Sequence, residues 1–155
     1  TEFEYPKPVN KTTTLENILE TETVSVKYYL SETYVNTLRN HKARHASKGN
    51  GFGYEIIPNN GTANAVLCGG MGRERNLVYD FRLKDFTPIT HIRGEVNREG
   101  IRKMTPREWA RLQGFPDNYK IVVSDAQAYK QFGNSVAVPA IQATAKKIIE
   151  KLKTL

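Results

Sequence analysis

One cysteine, Cys68, stands in 155 residues. A single thiol excludes an internal disulfide and points to a reducing compartment. No apolar run approaches the ~20 residues that a membrane-spanning helix needs, and no signal-peptide pattern opens the sequence. Internal repeats and low-complexity segments are also missing. His41 and His45 have helical i, i+4 spacing, but Lys42 stands where the zinc-protease pattern needs glutamate. No cysteine or carboxylate cluster completes a metal site nearby, so the pair reads as a solvated basic helix end. The phrase GNGFGY, from Gly49 to Tyr54, contains a glycine pattern but is followed by YEIIPNNG, a strand and a turn. A dinucleotide fingerprint would need a helix there, so the phrase reads as a flexible loop.

What is present is a soluble globular composition, 39% hydrophobic and 25% charged, of a length that suits one domain or a small domain with an extension. The net charge of +7 is unevenly placed. Residues 1–40 carry 4 basic and 6 acidic side chains, residues 41–107 carry 12 and 6, and residues 108–155 carry 7 and 4. A basic middle between less charged ends fits a polyanion-binding segment, and fits equally a solvated basic surface.

The N-terminal stretch, with Pro6 and Pro8, reads as an extended lead-in. Thr13 and Glu16 form a capping-box pair that predicts a short helix carrying Leu15, Ile18 and Leu19. Val24, Val26, Tyr28 and Leu30 alternate with polar neighbours and predict a strand. Ser31 caps a second helix with Val35 and Leu38 on its core face, running out into HKARHASKGNG. Between Gly49 and Arg102, glycines separate short apolar runs at Ile56-Ile57, Ala65–Leu67 and Leu77–Tyr79, which read as short strands joined by loops. The last third is helical. Thr105, Pro106 and Glu108 form a strong helix start, with Gly114 as its stop. Ser124 and Gln127 open a helix that ends near Gly133, and Pro139 fits the first turn of another. Ile141, Ala145, Ile148, Ile149 and Leu152 form an apolar stripe on that last helix.

Cys68 lies in AVLCGG with no base, cation or helix N-terminus in the local sequence to lower its pKa, so it reads as a small apolar filler in a strand. The phrase CGGMGRERN, Cys68–Asn76, combines glycines that allow close approach with two guanidinium groups, Arg73 and Arg75. Such forks suit guanine edges or phosphates, and a solvated hairpin is the plain alternative.

Two phrases near the end narrow these readings. TPREWARLQGFPD, Thr105–Asp117, resembles the ninth sequence block of the DNA cytosine-5 methyltransferases. QFGNSVAVPAIQA, Gln131–Ala143, resembles their tenth block. The order and short spacing match the family, and FEYPKPVNKTTTLENILE resembles its transition into the target-recognition domain. The resemblance implies an α+β fold of bacterial restriction-modification type. A small irregular β-rich DNA-recognition domain is followed by a helical C-terminal segment that would pack on a separate Rossmann-like catalytic domain. The implied divisions are a lead-in and helical connector over 1–40, the recognition domain over 41–104, and the two-motif helical segment over 105–155.

The resemblance further implies that Asn134, Ser135 and Val136 line part of a pocket for S-adenosyl-L-methionine, shared with the catalytic domain. Arg107 and Glu108 would support the recognition domain. Arg44, Lys48, Arg73, Arg75, Arg93 and Arg98 would contact double-stranded DNA, and the arginines after the glycines suggest a G·C-containing site. The family's nucleophilic cysteine follows proline, whereas Cys68 follows Leu67. The cofactor glycine loop and the Glu-Asn-Val phrase are missing too. The family's recognition threonine is not assigned, because Ala65 and Val66 stand where Thr-Leu precedes Gly69-Gly70. No catalytic residue and no metal are expected in this chain. It would act with a catalytic chain or domain carrying the Pro-Cys nucleophile, on DNA in the bacterial cytoplasm. The alternative is a non-catalytic, sequence-specific DNA-binding module derived from such an enzyme.

Overall fold

A computed structural model describes residues 3–8, 13–69, 72–89 and 92–154. Residues 9–12 of the lead-in, and Gly70 and Met71 of the glycine-rich turn, lie outside the described residues. The fold is α+β. Its elements are the helices α1 (Glu32–Ala46), α2 (Pro106–Leu112), α3 (Asp125–Asn134) and α4 (Val138–Leu152) and an antiparallel pair, β1 (Leu77–Tyr79) and β2 (Ile101–Lys103). No described helix is long and apolar enough to cross a membrane.

Local chemistry sets the helix ends. Ser31 Oγ accepts from the Tyr34 N–H and opens α1. Thr105 and Glu108 form a reciprocal capping box on α2, with Pro106 in the first turn. Gly114 then turns the chain out at φ +79°, a conformation that favours glycine. Ser124 caps α3, and Pro139 sits in the first turn of α4.

The β pair is only three residues long, because side chains replace much of the ladder. Strand register places Leu77 opposite Lys103, Val78 opposite Arg102 and Tyr79 opposite Ile101. Buried Asn97 donates from Nδ2 to the carbonyls of Leu30 and Ile101 and accepts the Ile101 N–H. Asn76 likewise accepts from the Asn64 N–H and donates to the Asn64 carbonyl. These amides satisfy buried backbone that would otherwise need further strand.

The period-2 alternation divides the core. Leu77 and Ile101 face α1 and pack with Leu30, Val35 and Leu38. Val78 faces the other way, into the main cluster with Leu15, Ile57, Met104, Trp109, Tyr129 and Phe132. Burial of each such aliphatic side chain contributes about 1.5–3 kcal/mol. A smaller cluster holds Val24, Tyr29 and Val96.

Four local expectations need correction. The capping-box helix near Thr13 is a 3-10 turn, Leu15–Asn17, with Thr14 at its N-cap position making no side-chain cap. The strand expected over Val24–Leu30 contains a 3-10 turn, Val26–Tyr28, where Ser25 Oγ accepts from the Lys27 N–H. Tyr29 and Leu30 are both buried, which breaks the alternation, and Tyr29 makes only an isolated bridge to Arg102. Ala65–Leu67 is not a strand, and Ile56 joins Leu77 through a single bridge. Cys68 is therefore exposed instead of filling a strand. Its backbone presses on Gly133, where an added Cβ would lie 2.6 Å from the Cys68 Cα.

Candidate functional site

The ninth-block helix is tied to the sheet by a sealed polar cluster. Glu108 is fully buried, and its two oxygens accept from Arg102 Nη1 and Nη2, each at 2.8 Å. The same carboxylate accepts the backbone N–H groups of Thr105, at 2.8 Å, and Glu20, at 3.0 Å. Arg102 reaches Glu108 because β2 alternation points it to the α2 side, while its Nε donates to Asp80 at 2.8 Å. Burial opposes the Asp80 charge, but hydrogen bonds from the Arg82 side chain and backbone and from Arg102 hold its carboxyl well below the usual range. Arg82 also donates to the carbonyls of Glu20 and Thr21. One network thus joins the lead-in, the segment just after β1, β2 and α2.

Arg107 does something different. It donates to the carbonyls of Pro116 and Tyr119 and fixes the turn after α2. Arg111 pairs with Asp117 and donates to the carbonyls of Ile18 and Leu19.

Asn134, Ser135 and Val136 lie at the junction of α3 and α4. Asn134 and Val136 are exposed, and Ser135 Oγ donates to the Phe132 carbonyl at 2.8 Å. The junction is braced from α2. Gln113 Nε2 donates to the Phe132 carbonyl, the Val138 N–H donates to the Gln113 carbonyl, and Gly114 packs directly under Pro139. A cleft of about 470 Å³ runs beside it, from Thr62–Val66 to Gln113 and Pro139. On α4, Ile141, Ile148, Ile149 and Leu152 are all exposed, and no residue of the helix is buried.

The six basic residues expected to meet DNA fall into separate places. Arg44 and Lys48 are exposed at the end of α1. Arg75 is exposed and shares a cavity of about 500 Å³ with His41, His45 and Phe52. Arg73 is half-buried, with its guanidinium over the Tyr129 ring at 5.3 Å. Arg93 lines a cleft with Lys27, Tyr28 and Lys103. Arg98 lies over Phe86 at 4.0 Å. Burial lowers the Lys103 pKa, partly offset by Glu74.

Sequence reasoning missed Arg102, Asp80 and Glu20, whose roles depend on long-range pairing. It also missed the half-burial of His41 and His45, whose rings lie 4.4 Å apart. Burial, then His41, Arg44 and Lys48, push the His45 pKa down. Among the described residues, no three His, Cys, Asp or Glu side chains gather as a metal-ligand set.

The model of the C-5 cytosine-specific DNA methylase family matches residues 1–150. The type II methyltransferase M.HpaII of Haemophilus parainfluenzae is 72% identical over 153 residues, which is 99% of this chain and 43% of that protein. M1.ScrFI of Lactococcus lactis subsp. cremoris is 38% identical over 152 residues, and M.SsoII of Shigella sonnei 41% over 150. This chain covers 35% and 36% of their lengths, so it spans about two-fifths or less of these curated relatives. The crystal structure of S. pombe Dnmt2 methyltransferase superposes with a TM-score of 0.66 at 17% identity, over 93% of this chain and 44% of that one. The methyltransferase EhMeth of Entamoeba histolytica gives 0.64 at 17% identity, over 98% and 46%. With the family model and relatives matching nearly all of its residues, the chain belongs to the C-5 cytosine-specific DNA methylase family.

Proposed function

We propose that this chain is the DNA-recognition part of a type II cytosine-5 DNA methyltransferase. The observation that carries the reading is 72% identity to M.HpaII along essentially the whole chain, which spans 43% of that enzyme. Residues 41–104, entered on the last turns of α1, form the target-recognition domain. Residues 105–155 return to a Rossmann-like catalytic piece. The uncovered stripe of Ile141, Ile148, Ile149 and Leu152 supports that docking, since contiguous apolar surface on a helix marks an interaction face.

The α3–α4 junction fits one edge of an S-adenosylmethionine pocket. Asn134 offers an exposed amide with donors and an acceptor, on backbone held by Gln113 and Gly114. Asn134, Ser135 and Val136 would line that edge, and the cofactor supplies the methyl group. Glu108 and Arg107 keep the recognition domain and the following turn in place behind it. Arg44, Lys48, Arg73, Arg75, Arg93 and Arg98 contact duplex DNA. The nucleophile comes from the catalytic piece, because Cys68 follows Leu67 and lacks the family's Pro-Cys setting.

Reconstitution tests this reading. The chain is mixed with a catalytic polypeptide carrying the Pro-Cys and Glu-Asn-Val phrases, and transfer of labelled methyl to DNA is measured. Activity should appear only in the mixture and should survive Cys68→Ser. A mixture that binds neither DNA nor labelled S-adenosylmethionine would sink the proposal.

A further inference from the structure

Phe52 is a large apolar side chain with no core to join. It is 69% exposed and belongs to none of the three buried clusters. It stands between Gly51 and Gly53, in the loop that follows α1. Gly53, at φ +155°, is pressed on α1 so closely that an added Cβ would lie 2.8 Å from Lys42 Cγ. The base of the loop is thereby pinned while Phe52 projects.

The ring is also supported from behind. His45 meets it edge-on, with centroids 5.8 Å apart and planes at 82°, and the His41 ring lies 4.4 Å from that of His45. The Nδ1 atoms of both histidines are buried without a hydrogen-bond partner. Burial and the neighbouring His41, Arg44 and Lys48 lower the His45 pKa, which favours a neutral ring beside Phe52.

The surroundings are cationic. Lys42, Arg44, Lys48 and Arg75 are exposed around these rings. The facing carboxylate, Glu55, is engaged by the Asn64 side-chain amide. An exposed aromatic ring ringed by cations matches a polyanion that carries flat apolar faces, which is the chemistry of nucleic acid. Other apolar partners would gain nothing from the charges, and a bare phosphate would gain nothing from the ring.

We propose that Phe52 stacks on a base of the bound DNA, with the α1 cations Lys42, Arg44 and Lys48 holding the flanking phosphates. This rests on the DNA-recognition reading above and assigns it a side chain chosen for stacking. Phenylalanine wedges that unstack one base step are an established way for proteins to distort a duplex.

The test compares the wild-type chain with Phe52→Ala and Phe52→Trp on a duplex that the wild-type chain has selected from a random pool. Loss of one base–aromatic stack weakens binding by at least about fivefold. Phe52→Ala should show that loss, with a thermal transition unchanged from wild type. Phe52→Trp should keep the affinity, and its indole fluorescence should be quenched as DNA is added. Equal affinity of Phe52→Ala and wild type would overturn the inference alone. So would an unquenched indole, or loss of affinity in both variants. Impaired reconstitution with intact DNA binding would also overturn it and reassign Phe52 to the catalytic partner. If the wild-type chain retains no duplex from the pool, the DNA-recognition reading falls, and this inference with it.

Discussion

The guanidinium of Arg102 and the carboxylate of Glu108 meet through two 2.8 Å hydrogen bonds, and both side chains are sealed from solvent. Removing one partner leaves the other charge buried and unmatched, which costs about 3–5 kcal/mol. Glu108→Ala should therefore lower unfolding free energy by roughly that amount in urea denaturation. A loss below about 1 kcal/mol would mean that solvent enters the cluster freely.

Asp80 makes the same cluster sensitive to acid. Its folded pKa lies below the value of about 3.9 expected in the unfolded chain. The sign follows directly: its contribution is present above the unfolded value and is lost as pH falls toward the folded one. Asp80→Asn should melt well below wild type near neutral pH, with the gap closing below about pH 4. A gap that stays constant through an acid melting series would refute this origin.

Gly114 joins α2 to the α3–α4 junction in a way that forbids a side chain. Its φ is +79°, and an added Cβ would lie 2.5 Å from Pro139 Cδ. Gly114→Ala should cost more than about 1 kcal/mol, since strain and clash add. Denaturant titration reads this cost, and reconstituted methylation should fall with it, because the Asn134 edge shifts. Wild-type stability in the variant would show that α4 moves aside without penalty.

The two arginines of the glycine-rich turn are not equivalent. Arg75 is exposed beside Phe52, whereas Arg73 lies over Tyr129. Arg75→Ala and Arg73→Ala should both weaken a selected duplex more than a random one. Arg73→Ala should in addition lose about 0.5–1 kcal/mol of stability as its cation–π contact goes. Equal losses on both duplexes, with a salt slope reduced by about 0.9, would assign the side chain to a phosphate.

Local signals carried the helical third of this fold. Thr105, Pro106, Glu108 and Gly114 each act within one turn, so the residue types alone located α2. Ser31 and Ser124 did the same for α1 and α3. The middle of the chain was less legible, because Asn97 and Asn76 complete its backbone hydrogen bonds from a distance. β2 was not anticipated at all, and with it went the face of Arg102 that explains Glu108. The expected DNA contacts were recognisable as basic residues, yet charge has no direction in a sequence. Only the fold separates Arg75, beside an exposed ring, from Arg73, lying on a buried one.

Helix α4 has fifteen residues and buries none of them. A face of that kind makes the melting temperature of this chain a property of its company. A partner docked on Ile141, Ile148, Ile149 and Leu152, as proposed, would bind the folded form alone and stabilise it in proportion to the logarithm of its free concentration. On the docking proposed above, the catalytic piece would act thermodynamically as a ligand.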